Sequence, residues 1–205
     1  MYAHSDAWGF GEPLQSGLLS THFGVDFAGV NYKMSVIGYV ASYPEAGGNG
    51  GITAIMHEAF AKMRENGETL SYLAPFSATF YRRFGYEGAF DQATHELNAS
   101  DFPKVPRPNA ALSVRRMRFA AAIPAMQAVY DRNKLATRGG VLRADWWWLN
   151  LADRYPEREV AVARMGDRPT GYVIYERAGG TFILHELMHD DLDALIALGR
   201  FVGAH

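Results

Sequence analysis

The chain has 205 residues, 48% of them hydrophobic and 20% charged, a composition that buries a substantial core as one large or two small domains. Lys plus Arg number 20 against 22 Asp plus Glu, a formal net charge of -2, so no bulk field attracts a polyanion and nucleic acid is not an expected partner. Cysteine is absent, which excludes disulfides, thiolate metal sites and a cysteine nucleophile. The opening from Met1 to Asp6 lacks the basic start and apolar run of a signal peptide, and no apolar stretch reaches the ~18 residues that a membrane helix needs. The cytoplasm is the expected address, with no membrane partner. Asn98-Ala99-Ser100 matches a glycosylation sequon, but without an export signal it reads as an ordinary turn.

Strands are expected first. Leu18, Leu19, Phe23, Val25 and Phe27 alternate with polar or small residues, Ala28 to Asn31 reads as a turn, and Lys33 to Ala41 forms a second run. After a glycine-rich loop from Ala46 to Gly51, the residues Ile52, Ile55, Met56, Ala59, Phe60 and Met63 recur at helical spacing, and Asn66-Gly67 should end that helix. Thr69 to Leu73 reads as a short buried strand, Pro75 and Ser77 mark a turn, Phe80 to Phe84 predicts a short helix, and Ala89 to Leu97 a further strand. The proline-rich segment 101–108 predicts a linker between a first domain, 1–100, and a second, 109–205. In the second domain, Leu112 to Arg118 reads as a strand, Ile123 to Leu135 and Asp145 to Leu151 as helices, and Val160 to Ala163, Gly171 to Tyr175 and Phe182 to Met188 as successive strands. Asp190 or Asp191 would cap a last helix carrying Leu192, Leu195, Ile196 and Leu198.

The segment from Val36 to Thr53 carries the most chemical information. A strand that enters a glycine-rich turn at the start of a helix aims several backbone N–H groups and the positive end of the helix dipole at one spot, which suits a pyrophosphate. The four glycines between Gly47 and Gly51 lack Cβ atoms, so the backbone can approach an anion closely. No Gly-Lys-Ser/Thr closes the turn and no Gly-x-Gly-x-x-Gly spans it, so the two familiar nucleotide loops are excluded.

Tyr39-Val40-Ala41-Ser42-Tyr43-Pro44-Glu45 with the following glycine turn resembles the acyl-CoA motif of the GNAT superfamily. Leu70 to Ser77 and Phe80 to Glu87 resemble the matching acetyltransferase signature of its enhanced-intracellular-survival branch. The resemblance continues at Arg115-Arg116, Trp146-Trp147-Trp148, Gly171 to Tyr175 and Ala194 to Phe201, so it spans most of the chain. It implies an α+β fold of two GNAT-like units in tandem, mixed β-sheets flanked by helices, each unit incomplete, as in a shortened member or fragment. It also implies a cytoplasmic, oligomeric N-acetyltransferase that carries an acetyl group from acetyl-CoA to an amine of an aminoglycoside, lysine or polyamine, without a metal. Carried over residue by residue, Val40, Ala41 and Ser42 would pair with the pantetheine arm, while Gly48, Asn49, Gly50, Gly51, Ile52 and Thr53 would hold the pyrophosphate. Phe76 and Ser77 would lie alongside the cofactor. Tyr81 would donate a proton to the departing thiolate.

The sequence departs from the family at the head of the loop, where relatives carry Arg or Gln; Gly47, Gly48 and Asn49 supply no cation, leaving Arg82, Arg83 or another basic residue to do so. The family's general base is the terminal carboxylate of a third domain, which the His205 carboxylate cannot be assumed to replace; Glu45 is one substitute. Two other readings compete. A truncated scaffold would bind acyl-CoA without turnover. His185-Glu186-Leu187-Met188-His189 matches the zinc-peptidase motif, whose two histidines must lie about 6 Å apart along one helix. Here Thr181 to Leu184 reads as a strand, which would set them ~13 Å apart, too far to share one ion.

Overall fold

The computed structural model describes residues 2–102, 104–133 and 139–205. The chain divides into two compact units, residues 1–94 and 95–205. In the first, β1 (Ser5–Phe10), β2 (Ser16–Phe27) and β3 (Val30–Ser42) form an antiparallel meander. Helix α1 (Gly51–Glu65) then crosses over so that β4 (Leu70–Tyr72) pairs parallel with β3, giving the order β1-β2-β3-β4. Helix α2 (Ala78–Arg82) follows.

The apolar period read from the sequence is the buried face of α1. Ile55, Met56, Ala59 and Met63 pack on Leu18 of β2 and Ile37 of β3, and the helix ends at Asn66, before Gly67. Strand β1 was not anticipated, yet its Trp8 and Phe10 join this core. Residues 89–97 are a correction: the expected strand is irregular chain, exposed throughout. Ala89, Ala93 and Leu97 would share one face, but Asp91 and His95 stand on that face between them and Phe90 lies on the other, so neither face is apolar enough to be buried.

The second unit contains β5 (Leu112–Arg118), α3 (Phe119–Asn133), β6 (Val141–Leu142), α4 (Asp145–Arg154), β7 (Glu159–Met165), β8 (Arg168–Ala178), β9 (Thr181–His189) and α5 (Leu192–Val202). The last residues of the helix expected to reach Leu135 lie outside the described residues. The sheet runs β5-β7-β8-β9, all antiparallel, and its two faces follow the alternation of the strands. Val160, Val162, Tyr172 and Ile174 face α3 and α4, where Trp148 is wholly buried; Ala161, Ala163, Val173 and Tyr175 face Leu198 of α5. Phe102 and Val105, from the segment expected as a linker, pack beside Gly203 and Gly199 at the end of α5. Among the described residues no helix is long and apolar enough to cross a membrane.

Candidate active site

Strand β3 pairs with β2 along its length but with β4 only over Met34–Val36. Pairing with β4, itself only three residues long, ends at Val36, and among the described residues no strand pairs with the β3 edge from Ile37 to Ser42 on that side. Opposite Leu18, β3 carries two residues, Tyr39 and Val40, with Tyr39 at φ 55°, so a bulge twists the strand away at that point. The end of that pairing and the bulge leave an opening beside β3 that leads to the start of α1.

A cavity of about 480 Å³ occupies this opening. Val40, Ala41 and Ser42 of β3 form one side; Ala46, Gly48, Asn49 and Gly50 of the loop and Gly51, Ile52 and Thr53 of α1 form the floor. The third wall is Phe76, Phe80 and Arg83. Gly50, at φ 82°, turns the chain into the helix in a conformation that side chains resist. A Cβ on Gly51 would stand 2.8 Å from both Phe10 and the Ser16 hydroxyl, so the helix can seat this low on the sheet only with glycine there. The Asn49 side-chain oxygen accepts the Gly51 N–H at 3.0 Å, and the Ala54 N–H bonds Gly50 at 3.0 Å. Between them stand Ile52 and Thr53, which line the cavity and whose amides are first-turn donors with no acceptor inside the helix.

Arg83 supplies the cation that the loop lacks. Its guanidinium donates to Thr53 Oγ1 at 3.0 Å and lies over the rings of Phe80, 4.4 Å, and Phe84, 4.9 Å. Arg82 points elsewhere, to Glu87 at 3.1 Å. Phe80 and Arg83 stand three apart on the turn that Ser77 initiates, so both face the same wall; that spacing was the available signal for Phe80, which the sequence reading did not select.

The remaining candidates are placed less directly. The Ser77 hydroxyl accepts the Phe80 N–H at 3.3 Å as the cap of α2 and is not part of the cavity wall. Tyr81 is 3% exposed, behind Phe76 and Phe80, whose rings lie 5.3 and 5.1 Å from its own, and it too is absent from the wall. Burial pushes its phenol above the ordinary tyrosine range. Tyr86 packs edge-on against it at 6.0 Å and shares a hydrogen bond with the Ser71 hydroxyl. Glu45 is exposed in the 3-10 turn Pro44–Ala46 and does not reach the cavity.

The corresponding strand-to-helix junction of the second unit is chemically opposite. Between β9 and α5 stand Asp190 and Asp191; the Asp191 carboxylate accepts the Ala194 N–H at 2.8 Å, and Asp190 is held by Arg132 at 2.8 Å and Arg168 at 3.2 Å. Carboxylates already occupy that helix start, which repels rather than receives a phosphate. His185 and His189 lie on β9, not on a helix. His185 contacts Glu176 at 3.3 Å, His189 contacts the Asp191 carbonyl at 3.1 Å, and Glu186 is bound by Arg143 through two bonds of 2.9 and 2.8 Å. The peptidase geometry is therefore not formed. Among the described residues no three His, Asp or Glu side chains gather as metal ligands.

Residues 2–89 match the family model of an acetyltransferase (GNAT) domain, and residues 139–205 match a second model of the same description. Two GNAT acetyltransferase domains thus follow one another in this chain, each a sheet flanked by helices; the first sheet is mixed as expected, whereas the second is wholly antiparallel. A solved structure from Enterococcus faecalis, a conserved protein of unknown function described as a probable N-acyltransferase, is 39% identical at a TM-score of 0.91, covering 99% of this chain and 53% of that one. A GCN5-related N-acetyltransferase from Anabaena variabilis is 21% identical with a TM-score of 0.77, over 94% of this chain and 50% of its own. Eis1 from Mycobacterium abscessus is 23% identical with a TM-score of 0.71, over 95% and 52%. The chain spans about half the length of these structures. No curated protein matches it.

Proposed function

We propose that the chain is an N-acetyltransferase of the enhanced-intracellular-survival type, which takes acetyl-CoA into its first domain, 1–100, and acetylates a primary amine. The observation that carries this is the open β3-to-α1 junction, where two first-turn amides and Arg83 converge on one cavity. These residues fit a diphosphate: Gly51 keeps the floor low, the Ile52 and Thr53 amides donate, and the Arg83 guanidinium adds a charge-assisted donor. The unpaired edge of β3 near Val40, Ala41 and Ser42 fits the amides of a pantetheine arm, and Phe76 would cover it.

Acetyl-CoA supplies an electrophilic thioester carbonyl and a thiolate leaving group. The chain orients the thioester so that the amine nitrogen attacks its carbon; the C–S bond breaks as the C–N bond forms, and the amine proton passes to a base. Tyr81, kept protonated by burial, gives its proton to the sulfur. Acceptors of the aminoglycoside, lysine or polyamine kind belong to this proposal, as do a cytoplasmic address and a homo-oligomeric assembly.

A second reading, acyl-CoA binding without turnover, is favoured by one observation: Tyr81 stands behind Phe76 and Phe80 and is not part of the cavity wall. Calorimetric titration with acetyl-CoA, followed by coenzyme A release over an amine panel, separates the two. Binding with turnover that drops in Tyr81→Phe supports the enzyme, binding without turnover supports the module, and no binding removes both.

A further inference from the structure

A second cavity, of about 560 Å³, lies within the second unit, where β5 passes into α3 and the end of α4 turns toward β7. Three arginines line it: Arg116 and Arg118 from β5 and Arg158 from the turn before β7. The side chains of Arg116 and Arg118 form no hydrogen bond or close ion pair among the described residues, although the Arg116 charge acts on Glu159 and Tyr175. The Arg158 guanidinium is stacked on Tyr155 at 3.6 Å, and its Nε is buried with no hydrogen-bond partner. A buried guanidinium N–H left without an acceptor carries a desolvation cost, so the cation is held there at some expense.

Two carboxylates share the cavity. Glu159 is already engaged: Arg177 donates to it from Nε at 3.0 Å and the Tyr175 hydroxyl donates at 3.0 Å. The Arg177 hydrogen bonds hold its carboxyl below the usual glutamate range. Asp153 is exposed near the end of α4. The balance of uncommitted charge in the cavity is positive, although the chain as a whole is at -2. Phe119 and Ala120, the first residues of α3, also line it, so the helix dipole adds to the same sign.

We propose that this cavity is a second ligand site, which takes a small phosphorylated molecule with its phosphate between Arg116, Arg118 and Arg158. Three guanidinium groups present more donors than the two oxygens of one carboxylate can accept, whereas a phosphate offers at least three oxygens to forks arriving from different directions. The volume holds the rest of a metabolite, as ligand cavities of ~300–1,000 Å³ do. The site is independent of acyl-CoA binding in the first unit. Its counterpart at the β9-to-α5 junction is closed to anions by Asp190 and Asp191, so the second unit would have exchanged one anion site for another.

Inorganic pyrophosphate titrated into the full chain by calorimetry tests this, with citrate as the carboxylate control. The variants are Arg116→Gln/Arg118→Gln and, separately, Arg83→Gln. The expected result is saturable pyrophosphate binding that weakens tenfold or more in the double variant and that persists in Arg83→Gln. Far-ultraviolet circular dichroism checks that the double variant is folded. Should it not be, Arg158→Lys, which keeps the charge and loses the fork, is expected to weaken binding several-fold. Absence of saturable binding to the wild-type chain, binding that disappears only with Arg83, or citrate binding more tightly than pyrophosphate would each overturn the proposal.

Discussion

Gly51 is held to glycine by its neighbours, not by its backbone angles: Phe10 and Ser16 stand where a side chain would begin. Gly51→Ala should therefore push α1 off the sheet, at a cost of about 1–3 kcal/mol in urea denaturation, and should weaken acetyl-CoA binding with it. In the proposed function Arg83 acts through its guanidinium. Replacing it with Gln removes one charge-assisted donor from the anion loop and should raise KM for acetyl-CoA about tenfold with kcat little changed. Tyr81→Phe should do the reverse, lowering kcat by about a hundredfold or more while KM for acetyl-CoA stays within a factor of two. Burial raises the Tyr81 pKa, so the phenol stays protonated through the neutral range. The pH profile of kcat should then show no descending limb from Tyr81 below the ordinary value of 10.0, and one at neutral pH would assign the acid to another group. Of these residues the sequence exposed Tyr81 and the glycines through motif resemblance. It could not rank Arg83 above Arg82, because adjacent positions on a short helix diverge by about a quarter turn and only packing tells which faces the loop.

At the level of elements, the two units build the same junction with opposite chemistry. In α1 a side-chain acceptor from the loop, Asn49, bonds the Gly51 N–H, whereas in α5 the Asp191 carboxylate closes the turn on the Ala194 N–H. Asp191→Ala should cost about 1 kcal/mol, read as a lower Tm, without altering acetyl-CoA affinity. Most elements were legible because they follow a clear period: α1 and α5 show the helical stripe, and β7 and β8 are near-continuous buried runs. The exceptions show the limit of that signal. Strand β1 is six residues long and only half buried, so it becomes recognisable through its pairing with β2. The 89–97 segment has aromatic and branched content but no partner edge, and content without a partner does not make a strand.

For the whole molecule, each unit carries its own core, with the cavity proposed for acyl-CoA lined by residues of the first alone. In the second, Glu186 joins Arg143 through two hydrogen bonds, and the guanidinium lies 4.2 Å from the Tyr130 ring. Tyr172 also donates to Glu186, and burial raises its pKa. Removing the carboxylate leaves a largely enclosed cation without its partner. Glu186→Ala should thus destabilise the second unit by about 3 kcal/mol in denaturant titration, with acetyl-CoA binding by the first unit preserved. Loss of that binding would show that the two cores do not stand independently.

The sequence by itself determined what short-range pattern encodes: the periods of the strands and helices, the glycine turn at a helix start, and the strand that carries His185 and His189. These depend on neighbours a few residues apart, which the chain specifies directly. Tertiary structure alone decided which groups meet across distance. Arg83 reaches Thr53 from thirty residues away, Tyr81 sits behind its neighbours instead of in the cavity wall, and Arg116 and Arg118 gather with Arg158 around a cavity. Such meetings depend on how whole elements pack, and no local period records them.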